Sequence, residues 1–450
     1  MRSLLQFTRD KCEVAVVGIR TMCDHSKSRI KSGSVGEKPT PSLFKQDVFL
    51  PLSISLILSF SLSEPVFSLP VSPPLTSPVH QNFVSGPDRQ VTPVAVFGKD
   101  QRQRLPRRYK KLDQQIGLLH NPKTNTLCTA FCVGPDMIAT ASHCLFSHRK
   151  RRRLHLSSFL FKLNSTRTNR PTYSRLAGSR THKTRRYIIT GTSKLNRKPP
   201  IGAARDWAII RLERPGCRNG WLKTIELPYK KLQQAGRKKK LFQVAYHMDF
   251  RNWKIAYSRS CSVNRNYGGL TWKNIKKHFS KPQSLILHRC DTGEASSGSP
   301  LLMDSKEGPV VVGINVGTYQ QREIVVRSGR VIRRTKYRTI ANTAVTSSAF
   351  IENISTLKQA VVISKKTDMK RLQLDLKERS YYHGAIDGIY GARTELAIKA
   401  FERGMNRPVT GLATNALLAE LEKSHSNPVS IETSAGHEAP TTGTPSNSGK

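Results

Sequence analysis

The stretch CTAFCVGPDMIATASHC at residues 128–144 decides the fold of this chain, and His143 is its next-to-last residue. Further along, RDWAIIRL supplies Asp206 and ASSGSP supplies Ser297. A hydroxyl nucleophile, an imidazole base and a carboxylate that orients the base are the groups required for nucleophilic acyl transfer. The three strings therefore predict a catalytic triad of His143, Asp206 and Ser297.

The prediction of a triad depends on the agreement among the three strings. A His beside a Cys is usually structural, and turns similar to SGSP occur by chance, so one string alone would be weak. Residue type, order and separation agree for all three strings. The separations suit two successive six-stranded β-barrels with the site between them.

The strings resemble the His, Asp and Ser loops of trypsin-like serine peptidases with the chymotrypsin fold. SGSP is typical of the bacterial branch that includes the glutamyl endopeptidases, and the likeness covers about residues 96–349. It implies a mainly β fold with a double six-stranded β-barrel. It also implies that His143 takes the proton of Ser297, that Asp206 orients the imidazole, and that an acyl-enzyme forms.

The resemblance further implies an oxyanion hole made by the backbone N–H groups of Ala295 and Ser297. Ala295 departs from the family, which almost always has Gly at that place, where a Cβ can disturb the peptide orientation. Ser296 stands where animal trypsins carry the Asp that pairs with a newly freed N-terminus. Activation by that salt bridge is therefore not expected.

Substrate preference depends on the residues before the Ser loop and on one opposite it. Counted without a gap, Asp291 falls at the floor of the trypsin specificity pocket and Thr292 follows it, which would favour Lys or Arg before the scissile bond. The alternative is that this Asp-Thr pair has another role, as in many bacterial members. Asn315 occupies the place where Glu-specific members carry a His, which argues against glutamyl specificity.

The resemblance also implies disulfides. Cys128 and Cys144 match the half-cystines that bracket the family's His loop. Cys261 pairs with Cys290 in our interpretation, because Cys290 enters the Ser loop, and Cys132 with Cys217 then remains by elimination. Neither Cys nor His residues have the spacing of a zinc site, so we expect no metal and no cofactor.

The N-terminal part reads as an export signal. Residues 1–68 form a presequence whose core is the apolar run VFLPLSISLILSFSL, with cleavage after Ser68, and residues 69–91 form a propeptide or linker. The run is short and Ser-rich for a membrane span. An uncleaved N-terminal anchor is the alternative. The peptidase domain then occupies residues 92–352, and the protein is expected to be periplasmic, wall-associated or secreted.

A different pattern follows the peptidase domain. After a linker at residues 353–366, residues 367–423 have helical periodicity and resemble the small all-α peptidoglycan-binding domain of bacterial wall enzymes. Candidate contacts to peptidoglycan are Tyr381, Tyr382, Asp387 and Tyr390. Asp387 is equally explained as a turn residue in Asp-Gly. Residues 424–450 are rich in Ser, Thr, Pro and Gly and are predicted to be a disordered tail.

The charge is strongly basic. Lys and Arg number 75 against 30 Asp and Glu, which gives a formal net charge of +45, and the basic residues cluster in runs such as 149–153, 185–186 and 237–240. Such a surface binds polyanions without specificity. A specific nucleic-acid motif does not accompany it.

Three function classes follow. The first is an exported serine endopeptidase that cleaves protein or peptide substrates and is tethered to peptidoglycan. The second is a catalytically impaired pseudoprotease that acts as a wall-binding adaptor, suggested by Ala295 and Ser296. The third is a polyanion-binding envelope protein, suggested by the charge alone.

Overall fold

The structure is a computed structural model. It describes residues 14–17, 95–146, 155–164, 172–250, 255–259, 261–327 and 330–426, and for 14–17, 322–337 and 424–426 it describes the backbone alone. The predicted signal core, its cleavage site, the propeptide and most of the C-terminal tail lie outside these residues. Among the described residues, no helix has the length and apolar character needed to cross a membrane.

β-Strands dominate the described residues before 350. The strands are β1 (Val14–Val17), β2 (Arg102–Arg104), β3 (Ile116–Asn121), β4 (Thr126–Gly134), β5 (Met137–Thr140), β6 (Leu160–Leu163), β7 (Thr172–Arg175), β8 (Ile188–Thr190), β9 (Ala208–Arg211), β10 (Leu241–Tyr246), β11 (Ile255–Ser258), β12 (Leu285–His288), β13 (Pro300–Ser305), β14 (Gly308–Arg327) and β15 (Arg330–Thr346). Two short helices, α1 (Tyr229–Arg237) and α2 (Trp272–Ile275), lie between them.

The strands form two antiparallel sheets. The first has the order β7-β6-β3-β4-β5-β9-β8, and the second has the order β12-β15-β14-β13-β10-β11-β2 with β1 paired to β14. A bridge between Leu176 and Leu212 brings the ends of β7 and β9 together, so the first sheet curls on itself. The mainly β, chymotrypsin-like architecture is confirmed. The two sheets contain seven and eight strands instead of six each, because short edge strands such as β7 and β1 extend them.

Burial explains the central strands. All residues of β4, β5 and β10 are buried, and their sequences are rich in apolar and β-branched side chains. Large side chains such as Phe131 and Phe161 are at most 1% exposed in the core that the two sheets share. The runs of β-branched and aromatic residues at 241–246 and 310–316 form β10 and the first part of the longer β14.

Three disulfides join these strands to loops. They connect Cys128 with Cys144, Cys132 with Cys217, and Cys261 with Cys290, which are the predicted pairs. Cross-links of this kind reduce the conformational freedom of the unfolded chain. The first disulfide fastens the loop of His143 to β4.

The C-terminal region is helical, with α3 (Ile351–Gln359), α4 (Lys366–Glu378), α5 (Ala392–Gly404) and α6 (Asn415–Ser426). The last three helices share their own apolar core, which includes Leu372, Phe401 and Leu421. α3 differs from the predicted linker, because Leu357 is buried in the core of the sheets and Arg211 donates to its carbonyl. Residues 351–359 therefore form a helix that packs on the sheets, where a linker was predicted.

Buried charges attach this helical region to the first sheet. Glu395 of α5 accepts from Arg185 Nε at 2.7 Å and from Lys399 Nζ at 2.8 Å, and Lys399 also donates to the carbonyl of Thr190 in β8 at 3.0 Å. Arg186, which is 5% exposed, donates to the carbonyl of Ile363 at 2.8 Å. Arg185 and Arg186 were expected to belong to a solvated basic surface, and the structure instead uses them for this contact.

We predict that Glu395→Ala lowers the free energy of unfolding by about 3 kcal/mol, because it leaves the cations of Arg185 and Lys399 without their buried partner. Urea unfolding followed by circular dichroism measures the change. Glu307→Ala removes an exposed pair with Lys223 and is the matched control, with an expected change of less than about 1 kcal/mol. Equal losses in both variants would contradict the role given to the buried pair.

Candidate active site

The first sheet brings two of the predicted catalytic side chains together. His143 follows β5, and Asp206 comes just before β9. His143 Nδ1 lies 2.6 Å from Asp206 Oδ2, while Asp206 Oδ1 accepts from Ser142 Oγ at 2.7 Å and from the backbone N–H of His143 at 2.9 Å. Asp206 is 0% exposed. The carboxylate therefore fixes both the ring and the backbone of the His loop.

The electrostatics favour an ionised carboxylate. Burial by itself raises the pKa of Asp206, but the attraction of His143 and the hydrogen bonds from His143 and Ser142 outweigh it, so the pKa lies below its usual value. An ionised Asp206 accepts the Nδ1–H of His143 and so favours the ring tautomer that carries its proton on Nδ1. Nε2 is then free to accept a proton.

The second sheet supplies Ser297, in the loop between β12 and β13. The carbonyl of Ser297 accepts from the N–H of Thr129 in β4 at 2.9 Å. Cys144 Sγ lies 3.9 Å from this carbonyl oxygen and also 3.9 Å from His143 Nε2. Among the described residues, Ser297 Oγ makes no hydrogen bond with His143; in free enzymes this bond is often long and tightens with substrate.

The backbone around Ser297 presents two donors. Within the described part of the chain, the N–H groups of Ala295 and Ser297 have no hydrogen-bond partner. Ala295 has φ of 73°, in the left-handed region, and its carbonyl accepts from Thr129 Oγ1 at 2.8 Å. A Cβ in this region costs about 1–2 kcal/mol. The two donors needed for an oxyanion are thus present, and the Ala in place of Gly strains the backbone between them.

Comparison with known proteins adds the family. The profile of the family described as "Trypsin" matches residues 107–340, which is more than half of the 450 residues. The chain belongs to the trypsin family. A second profile, described as "Putative peptidoglycan binding domain", matches residues 365–421 and confirms a trypsin-like peptidase with an appended wall-binding type of domain. No curated protein matches the chain.

Among solved structures, this trypsin-family chain is similar to the one titled "Structure of Glu endopeptidase in complex with MPD". The two sequences are 14% identical. The match covers 59% of this chain and 99% of that chain, with a TM-score of 0.38.

The predicted specificity residues have structural partners. Asp291 Oδ1 accepts from the N–H of Phe97 at 2.9 Å, and Oδ2 accepts from the N–H of Gln101 at 2.8 Å. Thr292 pairs through its backbone with Ala95. Both carboxylate oxygens of Asp291 are therefore engaged by the chain itself, which favours the alternative to a basic-specific pocket.

Asn315 lies beside the nucleophile loop. Its Nδ2 donates to the carbonyl of Ser296 at 3.2 Å, and its Oδ1 lies 3.1 Å from His288 Nε2. Burial lowers the pKa of His288 to about 4, so its imidazole is neutral at pH 7. With Nε2 protonated it donates to Asn315 Oδ1, which fixes the amide. Asn315 thereby braces the Ser loop from β14.

Sequence reasoning missed several supporting residues. Ser142 and Thr129 stand in the quoted string, yet nothing local indicated that they hold Asp206 and the Ser loop. His247 follows β10 and is 1% exposed, and its Nδ1 accepts from the N–H of Gly293 at 3.0 Å. Burial, with the nearby Arg102 charge, lowers the pKa of His247 to about 3, which keeps it neutral. Residue type alone could not have revealed these long-range bonds.

One group of metal-ligand residue types exists in the part of the chain that the structure describes. It consists of Cys128, His143 and Cys144. The two cysteines form a disulfide, so they have no thiolate to offer a metal ion. The group is part of the support of the His loop.

The helical domain corrects two of the predicted peptidoglycan contacts. Tyr382 and Tyr390 are 4% and 7% exposed and belong to the domain core, and their hydroxyls donate to the carbonyls of Ala385 and Gly411. They are therefore core residues, with no face left for a ligand. Tyr381 is partly buried, with its ring 5.5 Å from that of Phe401.

Asp387 is exposed and shapes a turn. Its Oδ1 accepts from the N–H of Ile389 at 2.8 Å and from Gln373 Nε2 at 3.1 Å. Gly388 follows with φ of 73°, and its N–H donates to Gln373 Oε1 at 2.8 Å. This geometry favours the turn-forming interpretation of Asp387.

We predict that Ala295→Gly raises kcat for casein cleavage several-fold with little change in KM, because glycine adopts the left-handed conformation without a Cβ penalty. The free energy of unfolding should rise by up to about 1 kcal/mol. Ala245→Gly, in the interior of β10, is the control and should lower it by about 1 kcal/mol. A drop in kcat for Ala295→Gly would show that the Cβ supports the loop.

Proposed function

We propose that this chain is an exported serine endopeptidase that hydrolyses peptide bonds through His143, Asp206 and Ser297. The observation that carries the proposal is the buried 2.6 Å contact between His143 Nδ1 and Asp206 Oδ2, with Cys144 Sγ 3.9 Å both from His143 Nε2 and from the carbonyl of Ser297, whose loop has two unpaired backbone N–H groups among the described residues. A nucleophile, a base with an orienting acid and oxyanion donors are the complete set of parts for acyl transfer.

The reaction would run in two halves. His143 Nε2 takes the proton of Ser297 Oγ as the oxygen attacks the scissile carbonyl, and the N–H groups of Ala295 and Ser297 stabilise the oxyanion. His143 then gives its proton to the leaving amine, which leaves an acyl-enzyme on Ser297. Water, activated by the same imidazole, hydrolyses the ester and restores the free hydroxyl. Asp206 stabilises the imidazolium in both halves.

The second part of the proposal is attachment to the cell wall. The match to a peptidoglycan-binding family supports peptidoglycan as the partner of residues 365–421. A wall partner agrees with the predicted export signal and with the three disulfides, which persist in oxidising compartments. The proposed location is the periplasm, the wall or the exterior.

The turn at residues 387–389 and the exposed face of α4 are the proposed contact to peptidoglycan; the buried Gln373 joins the two. Gln373 Nε2 donates to the carbonyl of Ile389 at 3.2 Å, so the turn at residues 387–389 lies against α4. Ile389 is 61% exposed and Leu374 is 43% exposed. Apolar side chains next to a polar turn suit the apolar and polar faces of a sugar-peptide polymer.

We predict that Ser297→Ala abolishes labelling by a fluorophosphonate probe and abolishes casein cleavage, because the nucleophile is gone. Gel fluorescence of the labelled protein and release of casein fragments measure the two effects. Ser299→Ala, in the same loop, is the control and should still be labelled. A folded wild-type protein that neither labels nor cleaves would favour the pseudoprotease alternative.

We predict that Ile389→Asp reduces sedimentation with insoluble peptidoglycan at least about tenfold, because a charge replaces exposed apolar contact area. Val361→Asp changes a side chain that is 65% exposed and is the matched control, with no expected loss. Binding is measured in low and in high salt. Wild-type binding that disappears in high salt and is equal in both variants would instead support charge-driven binding of polyanions.

The polyanion alternative has one structural support. A cleft of about 530 Å³ beside β7 is lined by Arg175, Arg180, Arg214 and Arg218, with Glu213 as its acidic member. Arg180 pairs with Glu213 at 2.6 Å. The remaining arginines give this cleft an excess of positive charge, which attracts anions of any class. The cleft does not favour one anion, so this role stays second to the peptidase.

A further inference from the structure

The loop that carries the oxyanion donors, residues 291–297, is fastened by a distant piece of chain. Residues 95–102, which we call the strap, run past the first half of this loop. The strap gives two N–H groups to the carboxylate of Asp291, at 2.9 and 2.8 Å. It also exchanges two backbone hydrogen bonds with Thr292, at 3.0 and 3.1 Å from Ala95. Four hydrogen bonds therefore join the strap to two consecutive loop residues.

The end of the strap is anchored by charge. Arg102 donates to both carboxylate oxygens of Asp249, at 2.9 and 2.8 Å, and it also bonds Asp100. Gly293 packs directly against Asp249 and Arg102, so that a Cβ at Gly293 would collide with both. Contact with Arg102 at the end of the strap, and with its partner Asp249, thus limits the position of Gly293.

The loop has need of such support. Ala295 is held at φ of 73°, and the backbone relaxes from that conformation unless its surroundings enforce it. Asp291 is 4% exposed, and the strap supplies the N–H donors that a buried carboxylate requires. Loop and strap therefore hold each other in place.

We propose that the strap sets the oxyanion loop through Asp291, so that Asp291 is a positioning residue for the N–H groups of Ala295 and Ser297 and does not select the substrate side chain. The proposal rests on the proposed peptidase function. The donors to Asp291 are the backbone N–H groups of Phe97 and Gln101.

The test uses the full chain with Asp291→Asn. Asn keeps the shape of the side chain but presents an amide nitrogen to one of the two N–H donors, which breaks that hydrogen bond. Peptide substrates that differ only in the residue before the scissile bond, as Lys, Glu or Ala, separate positioning from selection. We expect kcat to fall about 10- to 100-fold by the same factor for each substrate, with KM within about twofold and the order of preference unchanged.

Asp304→Asn is the matched control. Asp304 lies in β13 and accepts from Tyr109 Oη at 2.7 Å, so the variant exchanges a hydrogen-bonded carboxylate for an amide at a site away from the loop. Its kcat should stay within about twofold of wild type. A loss in Asp291→Asn confined to the Lys substrate would identify Asp291 as the pocket floor and overturn the proposal. An unchanged kcat for all substrates would overturn it as well.

Hydrogen exchange gives a readout that does not need catalysis. In a Ser297→Ala background, Asp291→Asn should speed amide exchange in residues 291–297 and 95–102 at least about tenfold, with β4 unchanged. Exchange that stays at the Ser297→Ala rate would overturn the proposal even if the enzyme is active. If the wild-type protein is inactive but exchange rises as expected, the peptidase function fails and the coupling of strap and loop stands.

Discussion

The site depends on one buried charge. Asp206 is 0% exposed, and a carboxylate at such depth is stable only when hydrogen-bond donors surround it. Its donors are Ser142 Oγ, the N–H of His143 and His143 Nδ1, which are all on one short turn. The charge therefore draws the turn against β9 and fixes the imidazole in the same step. The orientation of the imidazole and the stability of the turn therefore have a common cause, and without the carboxylate the turn would keep its Cys128–Cys144 disulfide but lose the contact that orients the ring.

The Ser loop, which belongs to the second sheet, contains strained backbone at Ala295 that its neighbours must hold in place. Thr129 of β4 bonds the carbonyls of Ala295 and Ser297, and the strap holds the other end of the same loop. Thr129 follows Cys128, whose disulfide to Cys144 also fastens the His loop. β4 is thus the element through which base and nucleophile keep their relative position. β4 and the Cys128–Cys144 disulfide therefore connect the His loop of the first sheet directly to the Ser loop of the second sheet.

The features that can be predicted from the sequence are those marked by short stretches of neighbouring residues. The three candidate catalytic residues, the disulfide partners and the helical domain were all recognisable, because each is marked by residue type and local spacing. The roles of Asp291 and Arg185 were not, since their partners lie 190 and 210 positions away and no local pattern records them. The prediction of Tyr382 and Tyr390 as ligand contacts is wrong, because aromatic residues occur both in cores and on binding surfaces and the sequence does not distinguish the two. Burial, which only the tertiary structure decides, separates those two uses.

The same limit applies to charge. A net charge of +45 predicts an adhesive surface, yet the structure places Arg185, Arg186 and Lys399 in a contact between the helical domain and the first sheet. Arg185 also stacks on Phe146, at 5.1 Å, just beyond the turn of His143. A domain held by buried ion pairs keeps a fixed distance from the catalytic turn, whereas a flexible linker would let that distance vary. The helical domain and the turn of His143 therefore belong to one packed structure.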